Sequence, residues 1–222
     1  MALTKFNYNS FDLTTAASKG LAFNSNANGF ETSSATSMTL IKTLTASSSS
    51  TLSFVDGSSS VVLDNTYPVY LFKFINIHPS ASGDGNKLQF NFSVDSGSNY
   101  NVTKTTTAIR AHHYEDDSET GLDYHTGGDL AQSTNFQVIT EGLNNDNDHG
   151  ASGTMILFDP SSTTFVKHFI TETSSIRPGN INYRYMAAGY GNTTSAIDAV
   201  QFKISSGNID AGTIKLYGIK DS

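Results

Sequence analysis

The residues best suited to chemistry fall into a few clusters, and spacing decides what each can do. Asn144-Asn145-Asp146-Asn147-Asp148-His149-Gly150 contains Asp146-x-Asp148-x-Gly150, a spacing seen at the start of calcium loops. A helix-flanked calcium loop also needs a bidentate acid at the position that Leu157 occupies here. The segment therefore reads as a solvated loop, with weak calcium binding at 144–150 as the alternative. His112 and His113 are adjacent on a predicted strand, so their side chains point to opposite faces and do not share one metal. One is expected half-buried and the other exposed. His78, His125, His149 and His168 show no ligand spacing. Only a threefold oligomer would bring single histidines together on its axis.

Asp116, Asp117, Glu119 and Asp123 form an acidic run beside Tyr124 and His125. Paired carboxylates cleave glycosidic bonds as acid and base, but they must face each other across a cleft. Acids in one loop more often repel and solvate. Ser152 sits in Gly150-Ala151-Ser152-Gly153, which lacks the G-x-S-x-G elbow. No phosphate-binding loop or dinucleotide fingerprint occurs. The sequons at Asn91, Asn101 and Asn192 are what chance gives in a chain so rich in Asn, Ser and Thr. No catalytic residue, metal site or cofactor is assigned, and the expectation is a protein that is not an enzyme.

The elements that would position these residues are strands. Val200, Phe202 and Ile204 alternate with Gln201, Lys203 and Ser205, the period of a half-buried strand. After a Ser206-Gly207-Asn208 turn and a break at Ala211-Gly212, residues 213–219 form a last strand expected to tuck into a sheet. Upstream, 38–45, 51–55, 69–77, 88–94, 107–114, 135–140, 154–158, 165–173 and 181–190 read as further strands. In 69–77, Val69, Leu71, Ile75 and Ile77 lie on one face and Tyr70, Phe72 and Phe74 on the other. That strand is expected to be central and covered on both sides. Residues 115–129 and 141–153 read as polar surface loops. No stretch shows a helical repeat, and no solenoid period recurs. The fold expected is all-β, an antiparallel β-sandwich of jelly-roll type with about eleven strands. Its core is expected to include Phe72, Phe74, Phe90, Phe92, Phe202 and Leu216.

The first 37 residues differ from the rest. Phe6, Tyr8, Phe11, Leu13, Leu21, Phe23 and Phe30 are spread among Asn, Ser, Thr and Gly without periodicity. They read as an extended arm, with one short strand at most, whose aromatics dock on a partner. The domain proper is expected over 38–222.

Composition narrows the class. Charged residues are 15% of the 222, well under the roughly 25% of an average globular protein. The 14 Phe and 10 Tyr argue against disorder. Net charge is −7 and the cations are scattered, so nucleic acid is not an expected partner. The absence of cysteine excludes disulfides and thiolate metal sites. No apolar run approaches the roughly 18 residues of a membrane helix, and MALTKFNYNS lacks the apolar core of a secretory signal. A surface-type composition without an export signal suits a particle released by lysis.

Several segments taken together resemble a known group: SFVDG at 53–57, YLFKFINIHP at 70–79, DLAQS at 129–133, LFDPSSTTFVKHF at 157–169, NTTSAID at 192–198, and 202–219. The group is the virion structural proteins of marine bacteriophages, especially cyanophages, in which the module forms the distal part of tail-fibre-like or particle-surface proteins. The resemblance spans roughly 40–219 and transfers no catalytic residue. It implies a structural protein of the virion without placing it on the particle. The roughly 37 residues before the module are too few for a fibre shaft, so the expectation is a capsid decoration, or cement, protein. The expected partners are the major capsid protein or tail proteins of the same particle, in a homo-oligomer, trimer or dimer. The alternatives are a short tail-fibre or receptor-binding protein that attaches to a host surface glycan and, less favoured, a polysaccharide-cleaving enzyme.

Overall fold

The computed structural model describes residues 20–23, 30–33 and 37–220, among which there is no helix. The chain divides into two compact units, 1–37 and 38–222. In the first, β1 (Gly20–Phe23) and β2 (Phe30–Ser33) pair antiparallel, with Phe23 opposite Phe30 and Leu21 opposite Thr32. The sequence reading of one short strand at most is thus corrected to a paired two-stranded ribbon. Phe6, Tyr8, Phe11 and Leu13 lie outside the described residues.

The second unit holds twelve antiparallel strands in two sheets, one more than expected. They are β3 (Met38–Thr45), β4 (Leu52–Val55), β5 (Val69–Pro79), β6 (Leu88–Ser93), β7 (Lys104–Tyr114) and β8 (Thr120–Tyr124). They continue with β9 (Gln137–Val138), β10 (Ala151–Phe158), β11 (Lys167–Arg177), β12 (Ile181–Gly191), β13 (Ala199–Ile204) and β14 (Ile209–Ile219). The large sheet runs β3-β14-β5-β10-β11-β12-β7-β8 and the small one β4-β13-β6-β9. The result is an all-β sandwich. Jelly-roll connectivity is a finer statement than this order makes, since β10, β11 and β12 follow one another as a meander.

Alternating apolar residues on facing strands create the core between the sheets. Phe72, Phe74, Phe90, Phe92, Phe202 and Leu216, expected there, are all exposed by 2% or less. Phe202 centres an aromatic stack, with ring centroids 5.3 Å from Phe72 and 5.2 Å from Phe74. Phe90 packs at 5.0 Å against both Phe92 and Phe169. Such tilted and edge-on pairs add to burial through ring quadrupoles.

Departures from strict alternation correct several expectations. Asn76 takes a left-handed φ of 51°, and the register of β5 shifts against both β10 and β14 beside it. This bulge turns Ile77 into the core, whereas Ile75 stays on the outer face with Leu71. Opposite it, Gly212 has a φ of 111°, and a Cβ there would overlap the Asn76 carbonyl. The expected break at Ala211-Gly212 is therefore a bulge inside one long β14. The outer face of β5 is not covered by another layer of its unit: Val69, Leu71 and Lys73 are half-buried and Ile75 is exposed. The acidic stretch 115–129 contains β8 and ends near His125, which is buried. The loop 141–153 is likewise not wholly on the surface. Glu141, Leu143 and His149 are buried, and β10 begins at Ala151.

Replacing Phe90 by Ala is expected to cost about 3–5 kcal/mol, the usual range for a fully buried aromatic. Urea denaturation checks this, and a loss under about 1 kcal/mol would contradict the position of Phe90 at the centre of the stack.

Candidate functional site

The sequence-selected residues come together only in part. Arg110 on β7 reaches its neighbour across the ladder, with Nε donating to Asp123 Oδ2 on β8 at 3.0 Å. Its Nη1 donates to Glu141 Oε1 at 3.1 Å. Glu141 is 3% exposed and also lies 2.8 Å from His125 Nδ1 and 3.8 Å from Lys87 Nζ. Gly142 lets the chain pass beneath Asp84, whose carbonyl a Cβ would overlap. The Tyr185 hydroxyl is buried against Gly128 without a partner. Burial pushes the His125 imidazole below its ordinary pKa, against the opposing pull of Glu141. Asp123 and Glu141 thus do not face each other across an open cleft. Both are held by one guanidinium, an arrangement that pins β7, β8 and the 141 loop together. Glu141 was missed as a buried anchor because a lone acid in a polar stretch carries no periodicity.

The remaining members of the acidic run serve local contacts. His113 Nε2 lies 3.0 Å from Asp117 Oδ1, and His112 Nε2 lies 3.4 Å from Glu119 Oε1. The His112 side chain is 15% exposed and that of His113 57%, on opposite faces as expected. In the 144–150 loop, Asn144 Nδ2 donates to Asp146 Oδ2 at 2.8 Å, and His78 Nε2 lies 3.0 Å from the Asp146 carbonyl. Among the described residues, no three His, Asp or Glu side chains converge as metal ligands. Ser152 Oγ accepts from the Asn76 amide at 3.0 Å, a contact to the bulge of β5. Beside it lies a polar groove of about 610 Å³ lined by Asn76, His78, Asp148, Ser152, Asn182 and Asp210.

A second buried pair links a strand of the small sheet to one of the large. Asn91 on β6 and Lys104 on β7 are both 0% exposed. Lys104 Nζ donates to Asn91 Oδ1 and, at 2.8 Å, to the Val102 carbonyl. The Asn91 amide donates to the carbonyls of Tyr100 at 2.7 Å and Thr134 at 2.9 Å. The segments that carry Tyr100 and Thr134 thus cover the polar side of β6. The sequon at Asn91 is accordingly enclosed.

The outer face of the eight-stranded sheet has no second layer of the 38–222 unit over it. Its register aligns Tyr217, Leu71, Ile156, Ile170, Ala188 and Thr107 in one row across β14, β5, β10, β11, β12 and β7. Leu40 extends the row on β3. The neighbouring row contains Lys215, Lys73, Thr154, Glu172, Met186, Ile109 and Tyr124. Exposure is 50% for Leu40, 46% for Ile170, 43% for Ile109 and 75% for Leu122. An antiparallel sheet that faces water normally carries polar side chains at such positions. Contiguous apolar patches are uncommon on the free surface of a monomer.

The fold and this face together define an all-β sandwich protein with an apolar band on the outer side of its large sheet. Comparison with protein-family models, curated proteins and solved structures gave no match in any of the three.

The Lys104 ammonium, taken out of water, has its pKa lowered by burial to about 7. Between that value and the ordinary 10.5, the unfolded chain binds a proton that the folded one does not. Lys104 therefore adds stability that is present above pH 10.5 and lost as pH falls to about 7. Denaturation midpoints measured across this window should rise with pH in the native protein. The Lys104→Met variant should show a flatter rise.

Proposed function

We propose that this protein is a non-enzymatic structural component of a phage virion, exposed on the particle surface, and that it acts as a capsid decoration protein. The observation that carries the reading is the apolar band on the outer face of the large sheet. A domain that works alone gains nothing by exposing Leu40, Ile170, Ile109 and Leu122, whereas a subunit of an assembly covers them. The marine-phage resemblance of 40–219 supports the particle. The capture of Asp123 and Glu141 by Arg110 supports a role without acid–base chemistry. In this reading residues 1–37, carrying Phe6, Tyr8, Phe11, Leu13, Leu21, Phe23 and Phe30, dock on the shell. They recover on binding the roughly 1.5–3 kcal/mol per large side chain that exposure forgoes.

One observation favours a second reading, that of a short tail-fibre or receptor-binding protein. The polar groove beside Ser152 offers amides, hydroxyls and carboxylates of the kind that hold sugar hydroxyls.

Quantitative mass spectrometry of purified particles separates the two. Decoration predicts hundreds of copies per particle, a fibre a few dozen at most, and absence from particles overturns both. Deleting residues 2–37 should leave the melting temperature nearly unchanged and abolish incorporation into particles. A truncated protein that unfolds would show instead that the segment belongs to the domain core.

A further inference from the structure

The outer face of the large sheet has a pattern that matches itself. From the β3 edge to the β8 edge the strands occupy eight successive places. A two-fold axis parallel to the strands, between β10 and β11, exchanges the first place with the eighth, the second with the seventh, and so on. In the apolar row this sets Ile156 against the Ile170 position of a second copy, Leu71 against Ala188, and Tyr217 against Thr107. Large side chains near the axis thus meet branched or small ones.

The charged row fits the same operation. Lys73 falls opposite Met186, one strand from Glu172, and Lys215 falls opposite Ile109, one strand from Tyr124. The Tyr124 hydroxyl donates to Asp129 Oδ2 at 2.6 Å, so an acid lies at that edge. Lys73 and Lys215 both belong to the half of this face near β3, and the one acid of their row, Glu172, belongs to the half near β8, where it also lies 2.6 Å from Arg184 of its own chain. An axis across the strands would instead set the lysine edge against itself. The area also suffices. Seven strand spacings of about 4.8 Å and ten rises of about 3.4 Å make a face roughly 34 Å on a side. A standard interface needs about 800 Å² from each partner.

We propose that the outer face of the eight-stranded sheet is the site where a second copy of this chain docks, sheet on sheet, about a two-fold axis parallel to the strands between β10 and β11. The dimer is isologous, so each contact occurs twice. Ile156 and Ile170 form its centre. The proposal rests on the register and the area of this face; it shares the apolar band with the virion reading, and the oligomeric state in solution tests it without reference to particles.

The full-length chain should give a dimer mass by light scattering. Ile170→Glu places a charge at the centre and should weaken the dimer at least about thirtyfold, the effect of losing a central hot spot, with an unchanged circular dichroism spectrum. Because the native chain has no cysteine, a thiol cross-linker reads the geometry directly. In the Leu71→Cys/Ala188→Cys double variant the two sites are three strands apart within one chain, about 14 Å, whereas packed sheets bring the Leu71 site of one copy about 10 Å from the Ala188 site of the other. A bifunctional thiol reagent too short for the first span and long enough for the second should convert the double variant to a covalent dimer and leave each single variant uncrosslinked. A full-length chain that is monomeric, as it would be if residues 1–37 covered this face, overturns the proposal. So does a trimer, or a double variant that stays uncrosslinked.

Discussion

Everything in the larger unit depends on the contact between its two sheets through phenylalanine rings. Phe202 on β13 meets Phe72 and Phe74 on β5, and Phe90 on β6 meets Phe169 on β11. These contacts join the small sheet to the middle strands of the large one, where β5 and β11 flank β10. The polar groups between the sheets then have to be satisfied around the rings. Lys104 is satisfied by Asn91 and the Val102 carbonyl, and Thr106 by donating to Gln137 Oε1 at 2.7 Å. A buried amine is tolerated there because carbonyl and amide oxygens surround it, although burial still favours its neutral form.

The strands and the core face were legible in the sequence because period-2 alternation was clean where one side met the aromatic stack. Phe202 and Leu216 could be placed from their neighbours alone. Legibility failed where a local backbone conformation broke the period. Asn76 is one residue with φ near 51°, yet it reverses the orientation of everything after it in β5. Nothing in the run FINIHP distinguishes that asparagine from an ordinary outward-facing one. Asn91 failed for a different reason. Its burial depends on Tyr100 and Thr134 folding over it, and their distance along the chain hides the contact. β8 was hidden by its own charges, since a five-residue strand at a sheet edge has little apolar content to reveal it.

The candidate site was less legible than the fold. The acidic run and the histidines drew attention as chemistry, but the structure uses them mainly as ties between turns and strands. The outer apolar face went unnoticed because the same residues, Val69, Leu71 and Ile75, looked like evidence of a strand covered on both sides. That reading was correct about the hydrophobicity and mistaken about the cover: no layer of the 38–222 unit lies over it. The apolar band is therefore an outer surface of that unit and not the inside of a third layer.

The position of β14 between β3 and β5 has a consequence for how the protein is made. Tyr217 pairs with Leu40, 177 residues earlier in the chain. At ordinary synthesis rates of about 5–20 residues per second, β3 waits roughly 9–35 s for the strand that pairs with it. During that interval β3 has no hydrogen-bonded neighbour, and one side of β5 presents unpaired amides and carbonyls beside Phe72 and Phe74. Nascent chains on one messenger carry the same open edges close together, each able to accept a strand from its neighbour. Pairing of the wrong copies at this stage competes with folding, so yield should fall when translation is crowded and recover when the chain is made slowly and in the cold.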